Sequence, residues 1–361
     1  MAEPGELTML RESARRLASD AMPQYWTSEG RTGRSDPALW RRIADDGWLL
    51  AGLDEAHGGF GVGIATTAAI MQEAGRGLIT EPLIAHYVAL TLIETLADGE
   101  LKQDVIAATT EGRRKLAFAC TEPRARFAWD RPATTVGRDG DALRLDGVKA
   151  VVLGGGDADL IVTAARDESG ELAVALRAYP LVDGTGAADI GFDAVSLRPE
   201  ALLARGRKAR EAIERALDAG AILATAAALG MMQESFRTTL DYVKQRVQFG
   251  EPIGRNQALQ HRLVDLLRMV RESEILLNEA VAAFDADSPD RALAVSAVRI
   301  AASEAMRRVG QEAVQMHGAI GTTDEAAISH YFRALTAMRP LFGDADHHRR
   351  RFAALERQRA A

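Results

Sequence analysis

DYVKQRVQFGEPIGRNQALQHRLVDL, Asp241 to Leu266, joins two stretches of helical period through a Phe-Gly pair. Taken alone, Arg246 is a solvated charge, Phe249 with Gly250 is a helix end with its core anchor, and the residues beyond Gln257 open the next helix. Upstream lies AGAILATAAALGMM (Ala219 to Met232), small or apolar on every face, which predicts a buried helix packed closely against its neighbours. Downstream the helical period runs to the C-terminus, broken most clearly from Asp285 to Pro289, with Ser288 expected as an N-cap.

The first part of the chain is also helical. From Glu6 to about Gly112 apolar residues recur at helical spacing, as in Leu7, Leu10, Ala14 and Leu17. Ser35 and Asp36 before Pro37 suit a helix start, and HGGFGVG (His57 to Gly63) separates two helices. The middle differs: LAFAC, ALRLDGVKAVVL, LIVTAAR and LAVALRAYPL are short runs divided by Gly- and Asp-rich turns. GRDGDALRLDG reads as a hairpin in which Asp139 and Gly140 supply positive backbone angles. The expected class is α+β, divided into a helical domain 1–112, a β domain 113–205 and a helical bundle 206–361.

The 361 residues are 47% apolar and 26% charged, an ordinary globular balance. A net charge of -7 gives no electrostatic reason to expect nucleic acid. One cysteine, Cys120, leaves no intrachain disulfide and no Cys-rich metal site, and no His/Asp/Glu spacing resembles a metal site. No run approaches roughly 18 uninterrupted apolar residues, and MAEPGELTMLRESARRL lacks a secretory apolar stretch. A cytoplasmic protein without a membrane partner is expected.

Several stretches together resemble one family. In DYVKQRVQFGEPIGRNQALQ, the Arg246, Phe249, Gly250 and Gln257 offsets resemble the flavin-binding helix pair of acyl-CoA dehydrogenases. QEAVQMHGAIGTTDE (Gln311 to Glu325) resembles that family's Gln-x-x-Gly segment, while TEP (Thr121 to Pro123), DGVK (Asp146 to Lys149) and EAHGGFG resemble its other signatures. The resemblance implies helical, β and four-helix domains, with FAD at a subunit interface in a homo- or hetero-tetramer. It implies that Arg246 pairs with the FAD pyrophosphate through its fork of donors. It further implies that Gln315 and Gly318 approach the neighbouring subunit's cofactor, and that Thr121 hydrogen-bonds the flavin ring.

The family reaction takes a proton from beside a thioester carbonyl with a carboxylate base while a hydride leaves the next carbon for the flavin. An acyl-CoA substrate and an electron-transfer flavoprotein, or another acceptor, are thus implied. Here the two usual Glu positions fall on Phe342 and Gly220, so the catalytic base is unidentified; Asp344 and Asp218 are the nearby carboxylates, and Glu325 reads as a loop residue. Val151 and Leu153 replace the family's flavin-facing aromatic and threonine, and RARFAW follows TEP in place of Gly-Ser-Asp. The glycines at 154–156 read as a plain turn, and HHRRR (His347 to Arg351) as a solvated face or helix-end charge compensation. Two arrangements follow: an enzyme using an unconventional base, or a subunit whose partner brings the Glu. A flavin-free scaffold is the alternative.

Overall fold

The helical period of the first part becomes α1 (Pro4–Tyr25), α2 (Pro37–Asp45), α3 (Ile64–Arg76), α4 (Leu83–Leu96) and α5 (Gly99–Thr110). The structure is a computed structural model describing residues 4–25, 33–61, 63–166, 177–180 and 186–360. Strands follow as β1 (Leu116–Ala119), β2 (Thr135–Asp139), β3 (Ala142–Leu153), β4 (Leu160–Thr163), β5 (Arg177–Pro180) and β6 (Gly186–Leu197). Next come α6 (Gly206–Gln245), the two-residue strands β7 (Val247–Gln248) and β8 (Glu251–Pro252), α7 (Gln257–Asp285), α8 (Arg291–His317), α9 (Ala327–Met338) and α10 (Ala345–Ala360). This is the α+β order expected. The part of LAVALRAYPL before Arg177 and its final Leu181 lie outside the described residues.

Local chemistry accounts for the element ends. Asp36 caps α2, its carboxylate accepting from the Ala38 N–H at 2.9 Å with Pro37 in the first turn. Ser288 does not cap α8 as expected: the helix begins at Arg291, and the Ser288 hydroxyl instead accepts from the Asp290 N–H at 3.2 Å, tightening the turn before it. The β2–β3 turn is tighter than expected. Asp139 pairs with Ala142, so Gly140 and Asp141 are the loop, and Gly140 carries a positive φ of 63° while Asp139 does not.

The chain forms two compact units, Met1–Gly30 with Gly63–Ile79 and Ala221–Ala361, and Arg31–Val62 with Thr80–Gly220. In the second, the sheet runs in the order β2-β3-β6-β5, antiparallel throughout, and β1 pairs with β4 in parallel. Its core gathers Val136, Leu143, Leu145, Val152, Ile161, Ile190 and Phe192.

The first unit is built around the approach of α3 to α6. A Cβ on Gly230 would stand 1.8 Å from the Gln72 carbonyl oxygen, and one on Gly75 would stand 2.0 Å from that of Ala227. The two backbones therefore touch, which explains why the 219–232 stretch is so rich in Ala and Gly. Polar side chains tie the neighbouring helices to this seam. Glu73 of α3, 1% exposed, receives two bonds from Arg15 of α1 (3.1 and 3.0 Å) and one from Arg76 (3.0 Å). Burial pushes the Glu73 carboxyl upward, but the two arginines outweigh it and hold it below its ordinary value. The Tyr331 hydroxyl of α9 donates to the Arg76 carbonyl at 2.6 Å. α6 is long and apolar enough by composition to cross a membrane, yet 89% of its most apolar window is buried in the protein, as in a core helix.

Gly230→Ala is expected to cost about 1–3 kcal/mol by forcing the two helices apart. Gly137→Ala on β2 places its methyl in open space and should change stability by less than about 0.5 kcal/mol. Urea unfolding of both variants makes the comparison, and equal midpoints would contradict the backbone contact.

Candidate functional site

α6 ends at Gln245, and the next residues form a hairpin. Val247 pairs with Pro252 and Gln248 with Glu251, leaving Phe249 and Gly250 as a two-residue loop with φ of 52° and 86°. Two positive φ values in succession define the type I′ turn, which favours Asn or Gly at both places. A Phe there is strained by an amount on the order of 1–2 kcal/mol. Nor is it a core anchor, since Phe249 is 103% exposed. Phe249 is thus both strained and bare to solvent.

Arg246 stands at the base of this hairpin, its carbonyl accepting from the Ile253 N–H at 2.9 Å. Its guanidinium is exposed and has no carboxylate partner among the described residues, unlike the neighbouring Arg237 and Arg255, which are paired with Glu234 and Glu251. Gln257 is exposed at the first position of α7.

The second predicted segment lies in the same unit and is tied to the first. Tyr242, one turn before Arg246, stacks on His317 with ring centroids 4.2 Å apart and 24° between planes, and its hydroxyl donates to the His317 carbonyl at 3.3 Å. Burial lowers the His317 pKa, and the ring Nδ1 lies 2.8 Å from the Ala313 carbonyl. His317 is flanked by exposed Gln315 and Gly318. Gly318 ends α8 at φ 68° and ψ −146°, a region open to glycine alone, and its N–H returns to the Gln315 and Val314 carbonyls. An added Cβ there meets nothing within 4 Å, so the backbone angle and not space requires the glycine.

Thr121 lies in the other unit, exposed just after β1, with its carbonyl accepting from the Ala150 N–H at 2.9 Å. TEP and DGVK are joined by an ion pair that linear reading missed. Glu122 and Lys149 meet at 2.7 Å, 6% and 0% exposed, and the Glu122 carboxylate also accepts from the Ala133 N–H (2.6 Å), the Thr134 N–H (2.9 Å) and the Thr134 hydroxyl (2.6 Å). Burial opposes the Glu122 charge, but Lys149 and these donors prevail and bring its pKa to about 2. Beyond Lys149 a bulge places one extra residue on β3, between the pairs Lys149↔Ile190 and Val152↔Ala188. The bulge turns Val151 outward at φ 53°, 42% exposed, a strained setting for a β-branched residue. Leu153 stays half-buried, paired with Ala187.

The base positions hold no carboxylate. Phe342 is half-buried at φ 55°, and Gly220 is buried within α6. Asp344 caps α10, its carboxylate accepting from the His347 N–H at 2.8 Å, while Asp218 is 1% exposed on α6. Glu325 is an exposed loop residue before α9. The 154–156 glycines form a turn. HHRRR lies in the first half of α10, so its charges do not complement the helix end; Arg349 and Arg350 are exposed, as on a solvated face, while His348 is 1% exposed.

Comparison with known proteins identifies a family. The profile "Acyl-CoA dehydrogenase, N-terminal domain" matches residues 4–113, and "Acyl-CoA dehydrogenase, C-terminal domain" matches residues 210–355. Acyl-CoA dehydrogenase IpdE2 of Mycobacterium tuberculosis is 30% identical over 343 residues, covering 92% of each chain. Acyl-CoA dehydrogenase FadE12 of the same organism is 26% identical over 348 residues, covering 91% of this chain and 89% of its own. Among solved structures, the Tcur3481-Tcur3483 steroid ACAD superposes with a TM-score of 0.88 at 28% identity, covering 99% of both chains.

Removing Glu122 alone or Lys149 alone should cost about 3–5 kcal/mol, because the survivor is left charged and buried. The double variant Glu122→Gln/Lys149→Met should cost less than the sum. The sign with pH follows from the lowered Glu122 pKa: its contribution is complete above the ordinary 4.5 and fades as pH falls toward about 2. Urea midpoints measured between pH 7 and about pH 3 test this, and a Glu122→Gln variant with unchanged acid sensitivity would contradict it.

Proposed function

The chain belongs to the acyl-CoA dehydrogenase family, and from that premise we propose that it binds FAD and serves as the base-lacking subunit of a heteromeric acyl-CoA dehydrogenase. Its partner is a second chain of the family that carries the Glu. The reading rests above all on the pairing of an equipped cofactor hairpin with an unequipped base position. Arg246 is exposed and without a carboxylate, and Phe249 is bare and strained at the tip beside it. Phe342 can neither accept nor give a proton, and the Asp344 carboxylate is engaged as a helix cap. The likeness to the Tcur3481-Tcur3483 steroid ACAD supports an unlike pair acting on a bulky acyl-CoA.

The residues present fit FAD. Arg246 supplies a forked cation for the pyrophosphate. Phe249 supplies an aromatic face, Gln257 and Gln315 exposed amides, and Gly318 a backbone open to close approach. Thr121 is proposed to hydrogen-bond the ring. Bound FAD would take up the hydride that leaves the acyl chain. The protein orients the thioester and excludes water, and the partner's carboxylate takes the adjacent proton. An electron-transfer flavoprotein or comparable acceptor would receive the electrons. The same reading places the protein in the cytoplasm as a tetramer and keeps 1–112, 113–205 and 206–361 as its functional divisions.

Arg246→Ala should weaken FAD retention by about 10- to 100-fold, the worth of a hydrogen bond to a charged group. Absorbance of the purified variant after gel filtration measures it, and a variant as yellow as its parent would show the assignment wrong. Phe342→Glu should give the chain a base of its own, so that an acyl-CoA bleaches the bound flavin without any partner. If bleaching by this variant still requires a partner, position 342 is not where the base belongs.

A further inference from the structure

Arg299, on α8, is 0% exposed and meets no carboxylate among the described residues. A buried guanidinium without a counter-ion is costly, and burial lowers its pKa to about 10. Peptide carbonyls take the place of the missing acid. Its Nη2 lies 2.9 Å from the Leu341 oxygen, 3.0 Å from that of Arg339, 3.2 Å from that of Gly343 and 3.4 Å from that of Met338. An NH2 group has two hydrogens, so the first two oxygens take the direct bonds and the others share them. Nη1 donates to the Thr225 hydroxyl at 3.3 Å, and Nε has no partner.

These carbonyls belong to one turn, the link between α9 and α10. The turn is bent twice into the left-handed region, at Phe342 (φ 55°) and Gly343 (φ 111°), and a Cβ on Gly343 would stand 2.7 Å from the His347 and His348 rings. His348 closes the other side, its Nε2 3.1 Å from the Phe342 carbonyl and its Nδ1 3.4 Å from the Ser296 hydroxyl. Burial and the nearby Arg299 charge bring its pKa to about 3, so near neutral pH it can donate one hydrogen bond without adding a second buried cation. A non-glycine residue in that region persists only where its surroundings dictate the conformation.

The geometry points to Arg299 as a positioning residue whose guanidinium draws the carbonyls of Met338, Arg339, Leu341 and Gly343 inward and so fixes the place of Phe342. The turn is a built feature, not the slack remainder of a lost base. Its importance for catalysis rests on the function proposed above, because residue 342 is where a base would stand. The bonding itself does not.

The test reads the turn with no flavin or substrate present. 4-Fluorophenylalanine is placed at 342 and its fluorine resonance compared in the parent, Arg299→Met and Arg299→Lys, alongside hydrogen exchange along the chain. Arg299→Met keeps the stem and loses every donor: the resonance should split or broaden, and exchange over 339–343 should quicken by about tenfold or more while α7 stays unchanged. Arg299→Lys restores the charge and three donors and should recover part of the parent's signal. If Arg299→Met does not fold, Arg299→Lys decides alone, by a rise confined to 339–343. An unchanged turn in a folded variant, or a rise spread evenly over the whole helical unit, would overturn the inference.

Discussion

Two helices whose backbones touch can neither slide nor roll without a clash, and the α3–α6 seam imposes that constraint on the helical unit. Gly75 and Gly230 permit the contact, and Glu73, with Arg15 and Arg76, ties α1 to it. α6 is one continuous helix to Gln245, so where it is pinned determines where its C-terminal end emerges. From that end come Tyr242, clasped to His317, then Arg246, then the hairpin tip. The residues proposed to hold the cofactor in this unit therefore stand on a rod fixed by its packing, which is the setting a preformed binding site requires.

Strain and charge without a partner recur where function is read. Phe249, Val151 and Phe342 all sit in the left-handed region. Each lies at a place the family resemblance singled out, and each is held by an identifiable device: a two-residue hairpin, a β-bulge, and a buried guanidinium. The charges divide in two. Arg246 faces solvent and is available to an anion, whereas Arg299 and the Glu122–Lys149 pair are sealed inside and have only structural partners.

Much of this was legible in the linear order. Period and turn chemistry predicted the helix–strand–helix sequence, and Asp36 before Pro37 marked a real cap. What escaped depended on contacts between distant residues. The partners Glu122 and Lys149 are joined only when β3 folds back beside the TEP loop. Ser288 looked like a cap because composition cannot show that the helix waits until Arg291. Phe249 taken alone read as a helix end with its core anchor, whereas its family offset pointed to the cofactor, and its positive φ and full exposure show that it anchors no core. His348 sat inside a basic run that looked solvated, while its ring closes a turn that also encloses an arginine from another helix.

The proposed function requires that this chain hold the flavin and lack the base. The most direct measurement is an anaerobic absorbance titration of the purified, FAD-loaded chain with acyl-CoA thioesters, including bulky sterol-derived ones. The account predicts a flavin band that persists with this chain alone, perturbed at most by binding. A band that bleaches in the absence of any partner would mean that the chain supplies its own base, and would contradict the account.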